Sequence, residues 1–254
     1  MPRPLARGAR RRLPVNVTGA GRSELRSHLL AGIPGWYSPG LHLASPSLVA
    51  LGVASVALHL LQDVTAWQLA FVPAFLVVGN VVEWHVHRGV LHRRVRFLET
   101  LYLRHTPMHH AVFVSEDLAI RDRRELRMVL LPALAFPGLV ALMAPLAIAL
   151  AALGQRNLGL LWIASAVLYL LAYEWLHLAY HLPPDSWVGR LPGIAFLRRH
   201  HQRHHAPHLM ARWNFNVTVP LWDLVKGTVW RPHGAPVVPT RTPAPEASPA
   251  PRRG

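Results

Sequence analysis

Four histidines, His200, His201, His204 and His205, fall within six residues, and three of them form an H-x-x-H-H pattern. Residues three or four apart are neighbours on a helix, so this spacing turns at least two imidazoles toward one point. Three further clusters precede it: His87 and His92, then His105, His109 and His110, then His177 and His181. With His201, His204 and His205 they supply ten imidazoles, and the chain has no cysteine to compete as a ligand. One tetrahedral site takes four ligands, so ten neutral nitrogen donors imply two metal ions. Either His200 or His201 matches His105 in the repeated pattern. His85 and His208 are reserve ligands, His42 and His59 packing or interfacial residues, and His28 and His233 have no assigned role.

Local cues suggest how each cluster is held. Thr106 and Pro107 have the residue types of a helix cap and first helical position, so His109 and His110 would ride a new helix that His105 precedes. An unbroken α-helix would set His87 and His92 about 140° apart, and Gly89 between them suggests that the helix ends there. Glu83, Glu174 and Asp223 lie beside the clusters, where a carboxylate can orient a ligand imidazole from behind. Trp84, Trp175, Trp187, Trp213 and Trp222 read as a membrane-interface belt. The two halves of the chain echo each other: Glu-Trp, a histidine pair, then R-H-x-x-x-H-H, at Glu83 to His110 and at Glu174 to His205. The echo predicts two half-sites closing on one centre.

The elements that position these residues are apolar and long. The chain is 254 residues, 52% hydrophobic, yet carries a net charge of +15. Apolar runs at about 45–61, 66–82, 128–153 and 158–177 match the roughly 20 residues that cross a bilayer. The reading is an all-α integral membrane protein, four transmembrane helices in two hairpins with a cytoplasmic helical histidine-rich cap. Ser45 and Pro46 are the expected start of the first span. Of the 27 Arg and Lys residues only Arg156 lies in a hairpin turn, which by the positive-inside rule places both termini and every histidine cluster on the cytoplasmic side. The arginines are scattered and no nucleic-acid motif accompanies them, which argues against a nucleic-acid partner. Residues 1–40 form a basic, mostly disordered arm, 41–230 the membrane domain, and 231–254 a proline-rich disordered tail.

The set HRGVLH, HTPMHH, HLAYH and HHQRHH, followed by NFNVTVPLWDLVKGT, resembles the membrane fatty acid hydroxylase and sterol desaturase superfamily, and is most similar to its fatty acid 2-hydroxylase branch. The resemblance spans about residues 66–230. One departure is that three residues separate His105 from His109, where the 2-hydroxylases typically have two. The resemblance implies that the ten histidines hold two iron ions, that O2 is a co-substrate, and that one oxygen atom enters an aliphatic C–H bond of a membrane lipid, most simply a fatty-acyl chain near its head. Zinc, which has no redox change, would be only an occupant. Electrons would come from a separate small electron-transfer protein and its reductase. Head-group recognition would fall to Arg212, Asn214, Asn216 and Tyr180. Two other readings stand beside this one. A sterol or carotenoid oxygenase or desaturase of the same superfamily would use the same ligands. A metal transporter or sensor would instead need polar groups near the bilayer midplane, and within the spans only His59 and Asn80 are even candidates.

Overall fold

Apolar runs of this length have no water to satisfy their backbone in a membrane, so helix is the form they take. A computed structural model describes residues 19–232, whose regular secondary structure is helical apart from one isolated bridge between Val114 and Asp117. The elements are α1 (Gly19–Ala31), α2 (Pro39–His59), α3 (Ala66–Leu91), α4 (99–112), α5 (Ala135–Ala152), α6 (Arg156–His181), α7 (Pro192–His204) and α8 (Leu221–Lys226). Four of them, α2, α3, α5 and α6, are long and apolar enough to cross a membrane, at 21, 26, 18 and 26 residues.

Their boundaries differ from the sequence reading in instructive ways. The first span starts at Ser38 and Pro39, not Ser45 and Pro46: the Ser38 hydroxyl accepts from the Leu41 N–H at 3.3 Å, and Pro46 lies inside the helix. The second span continues past Val82 through Glu83 and His87 to Leu91. The third starts at Ala135 rather than 128: a short helix, Leu126–Val129, ends at an extended Leu130, and Leu131, which precedes Pro132, is biased away from the helical region. Met128, Val129 and Leu130 pack instead with Val112, Phe113 and Leu118 in a core beside the histidines. The basic arm, expected without fixed structure, is helical from Gly19 to Ala31, and Arg26 on it is buried against Glu125, with Nε and Nη2 each donating at 2.6 Å. The remainder of that arm, 1–18, and the tail from His233 lie outside the described residues.

The central helix is α6, which packs against α2, α3, α5 and α7. Small residues let the backbones approach: Ala50, Ala54 and Ala57 of α2 are buried, and a Cβ on Gly159 of α6 would stand 2.6 Å from the Ala147 carbonyl oxygen of α5. The two hairpin turns are latched together, with Asn157 Nδ2 donating to Gln62 O at 2.6 Å and Arg156 Nη1 to Gln62 Oε1 at 3.0 Å. Every histidine cluster lies toward the opposite end of these helices.

Candidate metal centre

The ten expected histidines converge as two groups of five. His87, His92, His105, His110 and His204 form one, and His109, His177, His181, His201 and His205 the other, with one ligand atom from each residue within 4.8 Å of the rest. The two half-sites exchange a member: His109 joins the group built from the second repeat, and His204 joins that of the first. His201, not His200, enters a group; His200 turns away and hydrogen-bonds Asp223 at 3.1 Å. His85 and His208 are exposed and belong to neither. His42 packs between the Tyr37 hydroxyl and the Leu131 carbonyl, 2.8 Å from each, and His59 and His28 are exposed.

The helix does not end at Gly89, nor does a new one start at Pro107. Both five-residue intervals are absorbed by a π turn. His92 N–H bonds back to His87 O at 3.2 Å, and His110 N–H bonds back to His105 O, each an i→i+5 bond that brings the two rings together, stacked at 5.1 Å in the first pair and edge to face at 4.7 Å in the second. Pro107 has no N–H to return to the carbonyl four residues earlier, so the second interval is one α-helical bond short by chemistry. Thr106 is no cap: its hydroxyl donates to Leu91 O at 2.7 Å and is 3.2 Å from His92 Nδ1, tying the two π turns together.

The tautomers follow from the partners. A carbonyl oxygen only accepts, so an imidazole nitrogen bonded to one carries the proton. Nδ1 of His109, His181, His204 and His205 donates to Met128 O, Leu118 O, Trp213 O and Phe113 O at 3.0, 2.7, 2.9 and 2.6 Å, and Nδ1 of His87 donates to Phe215 O. Their Nε2 atoms are therefore bare lone pairs aimed inward. His92 and His204 settle the fit to a cation. Thr106 has given its proton to Leu91, so His92 donates to it through Nδ1, and two bare Nε2 atoms then face each other at 3.0 Å. Two lone pairs at that distance repel unless a positive ion lies between them. The Nε2 atoms of His109 and His177 are likewise buried with no hydrogen-bond partner. Burial, reinforced by neighbouring histidines, holds His92, His105, His110, His201, His204 and His205 well below the ordinary imidazole range and His109 at about 3. The rings are thus neutral, the form that binds metal.

The carboxylates act one layer further out than expected. Asp223 touches no ligand ring. It accepts from Trp84 Nε1 (3.0 Å), Phe215 N (3.0 Å), Asn216 N (2.8 Å) and Thr228 Oγ1 (2.6 Å), clamping the segment whose carbonyls anchor His87 and His204. Burial raises the Asp223 pKa, but these bonds and that from His200 outweigh it and keep the group below the usual carboxylate range. Glu83 holds the next residues, accepting from Val217 N and from Thr218 N at 3.1 Å, and Glu174 accepts from Leu131 N at 3.1 Å beside the Met128 carbonyl that anchors His109. Trp84 is buried in this network rather than placed in a belt.

Asn214, Asn216 and Tyr180 cannot meet a head group. Each is buried and committed to the backbone: Asn214 to His200 O (2.9 Å), Asn216 to Asn80 O (3.0 Å), Tyr180 to Val217 O (2.8 Å). Asn214 has φ 59°, a left-handed turn that asparagine tolerates. Arg212 is exposed. Asn80, a candidate for a midplane transport site, is spent on Val219 O (2.8 Å) and Trp222 N (2.9 Å). The polar residue that sequence reasoning missed is Arg104. It lines a pocket with Leu101, Leu130 and Tyr173 that reaches His105 of one group and His109 and His177 of the other.

Four apolar spans capped at one end by ten neutral, converging imidazoles, nine of them buried and His92 partly so, define a membrane protein built to hold metal ions. A family model described as fatty acid hydroxylase matches residues 72–228, and the chain belongs to that family. Its fold is similar to a solved structure described as full-length scs7p with only the hydroxylase domain visible, at a TM-score of 0.52 and 19% identity over 77% of this chain and 68% of that one. No curated protein matches the sequence. The family makes the protein an oxidoreductase of the lipid hydroxylase kind.

Proposed function

We propose that the protein uses O2 to hydroxylate an aliphatic C–H bond of a membrane lipid, at C2 of a fatty-acyl chain. The observation that supports this best is the pocket that opens on both histidine groups at the end of membrane-length helices, with leucine, valine and methionine walls. His87, His92, His105, His110 and His204 would hold one iron ion, and His109, His177, His181, His201 and His205 the other. When bound, the two ions would supply the electron exchange that activates O2. The protein's own part is positional. Backbone carbonyls fix each ring, Asp223, Glu83 and Glu174 fix the backbone, and the apolar walls exclude water and align an acyl chain entering from the membrane. Electrons would arrive from a separate small carrier protein, itself served by a reductase, on the cytoplasmic face where Arg93, Arg94 and Arg96 are exposed. The test is mass spectrometry of lipids from cells expressing the protein under 18O2. One labelled oxygen at C2 of an acyl chain is the expected product; oxygen at mid-chain, or loss of two hydrogens with no oxygen gained, rules out 2-hydroxylation.

A further inference from the structure

Two partly or wholly buried arginines on this face have opposite surroundings. Arg26 is enclosed by acceptors: Glu125 at 2.6 Å, Asp117 at 3.2 Å and the Ala119 carbonyl at 2.8 Å. Arg104, half-buried in the wall of the histidine-lined pocket, has backbone carbonyls but, among the described residues, no carboxylate in contact. Its Nη2 donates to the Arg127 and Leu130 carbonyls at 2.9 and 3.3 Å. Glu174 is near, but its carboxylate is turned to the Leu131 N–H. The other charged neighbour is Arg127, of like sign, itself over the Tyr37 ring at 5.6 Å. A guanidinium has five N–H donors, so those on Nε and Nη1 remain for a partner. Burying a charge with no counter-charge in contact is costly, and an arginine held so, with Glu174 acting only at a distance, is suited to receive an anion.

We propose that Arg104, with Arg127 adding positive potential, seats an oxyanion on the substrate's head, a carboxylate or a phosphate, at the metal end of the pocket. The inference rests on that pocket being the lipid site of the proposed hydroxylase. Arg104 immediately precedes His105, so an anchored head leaves its own first methylenes, and not the middle of the chain, facing the Nε2 atoms. The substrate class is then an anionic amphiphile such as a free fatty acid, and neutral sterols and carotenoids lack the anchor.

The test is equilibrium binding to the metal-loaded full-length protein in phosphatidylcholine nanodiscs. The probes are radiolabelled hexadecanoic acid, its methyl ester and lysophosphatidate. Removing a charge-assisted contact is expected to cost roughly tenfold or more in Kd, so the wild type should prefer an acid to the ester by that factor. R104Q should lose the preference while still binding the ester, R104K should retain most of it, and metal content should be equal in all. R127Q, which leaves both backbone contacts of Arg104 in place, should weaken the preference and covers the case in which R104Q does not fold. The tighter of the two acids identifies the anion as carboxylate or phosphate. Equal binding of acid and ester by the wild type, or a full preference in R104Q, overturns the proposal. A wild type that prefers the acid yet forms no 18O-labelled lipid removes the hydroxylase reading and leaves the anion site standing.

Discussion

Each anchored imidazole spends its one proton on a carbonyl oxygen, which fixes both its tautomer and its direction. The consequence is a cluster whose members cannot accept protons without giving up their geometry. An unfolded histidine takes a proton near pH 6.5, whereas buried His109 does not until about 3, and its neighbours outside the spans are also held well below the ordinary range. Between those limits the unfolded chain binds more protons than the folded one, so folding stability falls as pH falls. The metal-free protein should therefore melt at progressively lower temperature from pH 7 to pH 5, and metal affinity should fall over the same interval because protonated rings are no ligands. A melting temperature that holds constant or rises on acidification would contradict neutral rings.

At the scale of elements, the π turns are what bring residues five apart into one site, and they make an unusual substitution informative. Deleting Gly89 turns H-x-x-x-x-H into H-x-x-x-H, the spacing that His177 and His181 already use on an ordinary α-helix. A Cβ at Gly89 would meet nothing within 4 Å, so the residue has no packing role. The deletion should leave metal content near that of the native protein, while an alanine inserted at the same point should swing His92 about 100° away and lower it; elemental analysis of the purified variants decides. This is also where the sequence was hardest to read. The four spans were legible because uncharged runs of bilayer length have few alternatives, and the ten histidines were legible from their spacing. A π turn leaves no periodic signature, so His87 to His92 read as a helix end. The Ser38-Pro39 and Ser45-Pro46 pairs look alike, and only packing tells the true start from a proline inside the helix. Asp223 and Glu83 looked like partners of imidazoles because nothing in the chain order reveals that their partners are backbone N–H groups of residues 215–218. Asn214 and Asn216 read as head-group contacts because nothing in the chain order reveals that they hold a buried loop.

For the whole molecule, the latch between the hairpin turns and the convergence of the ten clustered histidines at the other end define two faces of a membrane protein. From the distribution of arginine, the positive-inside rule predicts a cytoplasmic histidine face. The chain has no cysteine of its own, so single cysteines report cleanly. Leu153→Cys, in a hairpin turn and 76% exposed, should react with an impermeant thiol reagent added outside intact cells, and Arg94→Cys should react only after lysis; the reverse pattern would invert the orientation. The exchange of His109 and His204 between the two groups bears on how such a molecule is assembled. Neither repeat contains a complete set of five, so neither half of the chain can finish a site while it emerges alone. Ions bound to the two groups would act as rivets, each driven through both halves, and the protein would be held closed by the same atoms that equip it for chemistry.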